Sequence, residues 1–147
     1  VSRQTDFQRT VRYSISQHPQ QGNFILKAHL EDRLHDIETV LTTTPDTLEI
    51  LSATVQFRRS PSPLCSHAEK RFAGMVGLII GKGLSEQLRQ RLGGGEGCGN
   101  LRTMMLGLLP LAINARVSQD CESDEQAMEL MQQQLQGTCA GFPPNCK

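Results

Sequence analysis

Residues 96–115, EGCGNLRTMMLGLLPLAINA, decide how this chain folds. Leu101, Met104, Met105, Leu108, Leu109, Ala112 and Ile113 fall at i, i+3, i+4, i+7, i+8, i+11 and i+12. That spacing predicts one wide apolar face on a 3.6-period helix. Gly97-Cys98-Gly99 opens the segment and sets a thiol at the predicted helix start, where free N–H groups and the helix dipole favour a thiolate. Pro110 lies inside the stripe, removes one backbone bond and is expected to kink the helix.

Upstream of this helix the pattern reads helical back to the Pro61/Pro63 pair. Leu64, Ala68, Phe72 and Met75 mark one face, and Gly77 and Gly81 interrupt it. Ser85 is the expected N-cap of a helix through Leu88 and Leu92, which Gly93-Gly94-Gly95 ends. Downstream, Ser123 caps a last helix with Ala127, Leu130, Met131 and Leu135 on its apolar side, and Gly137 closes it. Before Ser60-Pro61-Ser62-Pro63 the period changes to two. Phe7, Val11, Tyr13 and Ile15 alternate with polar residues; Phe24, Leu26, Ala28 and Leu30 form one face of a second strand. Asp36–Thr43 reads as a third strand and Leu48–Arg59 as a fourth, with Leu51, Ala53, Val55 and Phe57 inward. Strands first and helices afterwards predict an α+β fold: a four-stranded antiparallel sheet with its helices on one face. At 147 residues, 1–147 is expected to be a single domain.

Fifteen basic and fifteen acidic residues cancel, so no global field draws nucleic acid or an anionic membrane. No apolar run reaches bilayer length. The first residues, VSRQTDFQ, lack the apolar core of a signal peptide. Five cysteines are an odd number for a disulfide framework, and a reduced, cytoplasmic protein fits them better. There is no P-loop, dinucleotide fingerprint, G-x-S-x-G, H-E-x-x-H or kinase signature, which leaves open whether the chain is an enzyme.

Three groups of residues carry candidate chemistry. Cys65 and Cys98 both sit at predicted helix starts; folded to one end of the sheet, with nearby His67, they would form a soft site for zinc or an iron–sulfur cluster. They are more than thirty residues apart with no C-x-x-C, and from spacing alone small buried thiols at helix starts are the favoured explanation. Arg58, Arg59 and Lys70, with Arg71, make a basic patch near the proline turn that would hold a small anionic ligand, or be solvated surface. His29 and His35 share a predicted hairpin with Glu31, Asp32 and Asp36; these types bind metal or exchange protons, and a charged turn accounts for them too. Cys121, Cys139 and Cys146 cluster late in the chain and could join a metal site, pair, or stay as free thiols.

The segments AHLEDRLHDIET (28–39), LSATVQFRRSPSPLC (51–65) and EGCGNL (96–101) resemble the bacterial family named domain of unknown function 2889, over roughly residues 5 to 140. Asn100 stands where that family's G-C-T-H-L-like segment has histidine. The family has no established activity, so the resemblance implies a domain and not a reaction. More distantly, the order of Leu51–Phe57, Cys65, Gly81-Lys82-Gly83-Leu84-Ser85-Glu86 and the Cys98 helix resembles the NifU N-terminal and SufE iron–sulfur scaffold fold. That likeness implies a similar fold and a thiol-based metal or cluster site; the scaffolds carry a further cysteine upstream, and this chain has none before Cys65. Two other readings stand beside it: a non-catalytic protein-interaction module, self-associating as a homo-oligomer, with structural cysteines, and an accessory protein that binds a small anion.

Overall fold

A computed structural model describes residues 6–144 of the chain. Four strands come first: β1 (Arg9–Gln17), β2 (Phe24–Asp32), β3 (Asp36–Thr43) and β4 (Ile50–Arg59). They form one antiparallel sheet in the order β1-β2-β3-β4, as the short connections require. Gly22, at φ 75°, supplies the left-handed residue that turns β1 into β2. Tyr13 pairs with Ala28, and Ala28 with Thr39, so Tyr13, Ala28 and Thr39 line up on one face.

That face is the core face. Phe24, Leu26, Ala28, Leu30, Ile37 and Leu41 are all buried, while Lys27 and Thr54 on the other face are exposed. Leu51 departs from the expected inward set and is 44% exposed. The register explains it: Thr42 pairs with Ser52 but Thr43 with Ile50, so Leu51 is an extra residue in a bulge and Ile50 takes the inward place. Phe7 likewise precedes β1 and is 60% exposed, its ring under the Arg33 guanidinium at 4.6 Å.

After Ser60 the chain makes a short 3₁₀ turn (Pro63–Ala68) and then α1 (Glu69–Ala73), α2 (Leu84–Leu92), α3 (Gly99–Ser118) and α4 (Asp124–Gln134). The residues between α1 and α2 return to the sheet: Ile50 N–H donates to the Leu78 carbonyl at 2.8 Å, and Gly77 N–H to the Ile50 carbonyl at 2.8 Å. α2 begins on Gly83, at φ 84°, and not on Ser85. A residue that must turn left-handed into the helix selects glycine over a side-chain cap. α3 presents Leu101, Met104, Met105, Leu108 and Ala112 fully buried, against β1 and β2 on one side and α2 and α4 on the other. Each such Leu or Met contributes about 1.5–3 kcal/mol by leaving water. Pro110 is exposed and α3 continues through it, so it does not end the helix. Ser123 caps α4 as expected, its hydroxyl accepting from Gln126 N–H at 3.2 Å. Mid-way along α3, Gly107 meets the Tyr13 ring so closely that a Cβ there would overlap the phenol.

Candidate functional site

Two local structures bring distant residues to one cleft. On the first side, Ser62 is extended (φ −139°) and its Oγ accepts from Leu64 N–H at 3.1 Å, while Pro63 fixes the first position of the 3₁₀ turn. That turn carries Leu64, Cys65 and His67. Leu64, expected on a buried helical face, is instead 64% exposed, because a 3₁₀ turn does not continue the 3.6-residue period.

On the second side, the glycine-rich loop between α2 and α3 folds back on the end of α2. Gly93 N–H donates to the Arg89 carbonyl at 3.1 Å and Cys98 N–H to the Leu92 carbonyl at 2.9 Å. The fit excludes side chains: a Cβ at Gly97 would collide with the Leu92 carbonyl, and one at Gly93 with the Arg89 carbonyl. The loop delivers Cys98 as the N-cap residue of α3, in extended conformation (φ −149°) and with no side-chain capping bond. Its thiol is therefore not consumed by the helix end.

Between these two sides lies a cleft of about 1020 Å³, lined by Cys65, His67 and Cys98 together with Leu64, Lys70 and Glu96. Both cysteines are half-buried and free, and His67 is exposed. Arg71 Nη2 meets Glu96 Oε2 at 2.5 Å and so ties α1 to the glycine loop; the arginine holds the Glu96 carboxyl below the usual carboxylate range. The ligand atoms of Cys65, His67 and Cys98 do not all lie within 4.8 Å of one another. Among the described residues, the group that does is His29, Glu31 and Asp36.

That second group occupies the solvent face of the sheet at the β2–β3 end. His29 Nε2 is 2.7 Å from Asp36 Oδ1 and 3.8 Å from Glu31 Oε2. The His29 hydrogen bond, reinforced by Arg58 and opposed by partial burial, lowers the Asp36 pKa. Arg58 and Arg59 belong here and not to the cleft. Arg58 Nη1 is 3.5 Å from Asp36 and its Nη2 3.4 Å from Glu38; Arg59 Nη2 donates to the carbonyls of Asp32 (2.7 Å) and His35 (3.2 Å). The basic patch read from sequence is thus divided, with Lys70 alone of Arg58, Arg59 and Lys70 lining the cleft.

Asp32 is the anchor of the same hairpin end. Its Oδ1 accepts from the N–H groups of Leu34 and His35, both at 2.8 Å, and its Oδ2 from Arg9 Nε at 2.8 Å. Burial pushes the carboxyl up, but Arg9, His35 and the two backbone donors outweigh it and hold Asp32 far below the usual range. Arg9 also reaches Asn100 Oδ1 at 3.0 Å, which links the hairpin to the first turn of α3, two residues beyond Cys98. Of the late cysteines, Cys121 donates its thiol to the Val117 carbonyl at 3.6 Å, Cys139 is exposed, and Cys146 lies outside the described residues.

The residues around the cleft that sequence reasoning missed are Glu96 and the fold-back role of Gly97. A lone glutamate among glycines carries no periodic signal, and its partner is fixed only by tertiary packing.

A sheet of four consecutive antiparallel strands, followed by four helices with a thiol-lined cleft at two of their starts, defines an α+β protein with a candidate soft-ligand site. The chain belongs to the family described as Protein of unknown function (DUF2889), whose profile matches residues 7–114. No curated protein and no solved structure matches it. No helix among the described residues is long and apolar enough to cross a membrane.

Proposed function

We propose that the chain binds a soft metal ion or an iron–sulfur cluster through Cys65 and Cys98, with His67 as a third ligand. The observation that carries this reading is that all three line one cleft although the cysteines come from separate elements. Two thiolates and an imidazole are a donor set for zinc or iron. The order of strand, cysteine turn, G-K-x-L-x-E and cysteine-capped helix agrees with the scaffold likeness in the sequence. Because the three ligand atoms are not yet within one coordination sphere, binding requires the cleft to close. Such a site needs reduced thiols, so we assign the protein to the cytoplasm. Metal and sulfide content of protein purified without oxygen, beside a Cys65→Ser/Cys98→Ser variant, tests the reading. Stoichiometric zinc or iron that is lost in the variant supports it; no metal in either sample ends it.

A second reading, a module that associates with a second copy of itself, is favoured by Leu51, Val76 and Ile79. These are 44%, 50% and 53% exposed beside the short bridge that joins Glu49 to Ile79. Sedimentation of the wild type against Ile79→Asp tests it, with a concentration-dependent dimer lost in the variant as the supporting result.

A further inference from the structure

We infer that a separate pocket between α1 and α2, adjoining the thiol cleft, binds a phosphate group. The pocket has a volume of about 320 Å³ and is lined by Lys70, Arg71, Gly74, Gln90 and Arg91. Three cations and no carboxylate line it, on a chain whose formal net charge is zero. Concentration of one sign of charge around a concave surface raises the local potential and draws an anion to it.

The cations are arranged to different degrees. Arg91 Nη1 donates to the Gly74 carbonyl at 2.5 Å, which fixes the guanidinium at the pocket wall and leaves its other N–H donors available. Arg71 is held by Glu96, which lines the neighbouring cleft and not this pocket. Lys70 has no ion-pair partner among the described residues. Gln90 gives one amide hydrogen to Glu86 at 3.2 Å and keeps the second. Donors therefore come from both helices. A tetrahedral phosphate, with acceptors on every side, satisfies both walls, whereas a planar carboxylate saturates one guanidinium fork. The two cavities share Lys70 and Arg71 in their linings, so a phosphate held here competes with Glu96 for Arg71 and releases α1 from the glycine loop.

Calorimetric titration of the whole chain with inorganic phosphate at low ionic strength tests this, with acetate as the planar comparison. The wild type should bind phosphate saturably and more tightly than acetate. Lys70→Gln should weaken phosphate binding about tenfold, the usual worth of one charge-assisted hydrogen bond. Glu96→Gln should tighten it by freeing Arg71, a change that general loss of structure would not produce. Lys70 is exposed, so its variant keeps the fold, which circular dichroism verifies. Vesicles containing phosphatidic acid form a second arm. Cosedimentation abolished by Lys70→Gln assigns the phosphate to a lipid headgroup; phosphate binding without cosedimentation assigns it to a soluble ester. Absence of saturable phosphate binding in the wild type, or equal binding by Lys70→Gln, overturns the inference. The Cys65→Ser/Cys98→Ser variant should bind phosphate as the wild type does, so the pocket stands or falls apart from the thiol reading.

Discussion

Replacing Asp32 should separate charge from turn geometry at the hairpin end. Alanine at this position leaves the Leu34 and His35 N–H groups without their acceptor and strands Arg9, whose other arm holds Asn100. Hydrogen bonds to a charged acceptor are worth about 1.5–3 kcal/mol. Arg9 is 40% exposed, so water screens its share, and the turn donors carry most of the effect on a carboxylate only 7% exposed. We expect Asp32→Ala to lower stability by about 2 kcal/mol at pH 7, or a melting temperature lower by about 4–8 °C for a chain of this size. Asp32→Asn keeps an oxygen for the two N–H groups but puts an NH2 donor in place of the oxygen that accepts from Arg9, so it loses the charge and the half-exposed Arg9 pair, and about 1 kcal/mol is expected. The pH dependence follows from a folded pKa depressed below the unfolded one. The charge contributes fully above the unfolded value of about 3.9 and is lost as pH falls toward the folded value. The gap between wild type and Asp32→Asn should hold from pH 7 to about pH 5 and narrow below it. Urea denaturation across that range measures both. Equal losses for Asn and Ala, or a gap that does not change with acid, would refute the reasoning.

Three further outcomes are expected. Gly97→Ala should disrupt the fold-back of the loop, because the added methyl meets a backbone carbonyl that cannot move aside; a loss of about 1–3 kcal/mol by denaturant melting and faster reaction of Cys98 with a thiol reagent are expected. Thr39→Val should raise stability by about 1 kcal/mol in the same assay, since the Thr39 hydroxyl is fully buried without a hydrogen-bond partner. Leu108→Ala should cost about 2–5 kcal/mol, as it empties a fully buried place between α3 and the sheet.

Much of this architecture is written in short-range pattern. The period-two runs locate β1 and β2, the β-branched, threonine-rich run 36–43 locates β3, and the seven apolar positions of α3 are its buried or half-buried face. Features set by pairing between strands are not written that way. Leu51 alternates correctly with Ala53 and Val55 by sequence, yet the bulge opposite Thr42 and Thr43 turns it outward. Capping preference alone selects Ser85 as the start of α2, whereas the left-handed Gly83 occupies the N-cap position. The candidate site shows the same division. Cys65, His67 and Cys98 could be singled out by residue type and by their places at helix starts. The fates of Arg58 and Arg59 could not, because the hairpin carboxylates and carbonyls that engage them come from other strands.

The contact between Gly107 and Tyr13 has a consequence for how this chain can change over time. The empty space above the glycine is the phenol's space, so the two positions share one volume. A side chain at 107 is affordable only with a smaller residue at 13, and a larger residue at 13 only with glycine at 107. Substitutions at these two sites, ninety-four positions apart, should therefore enter and leave the lineage together.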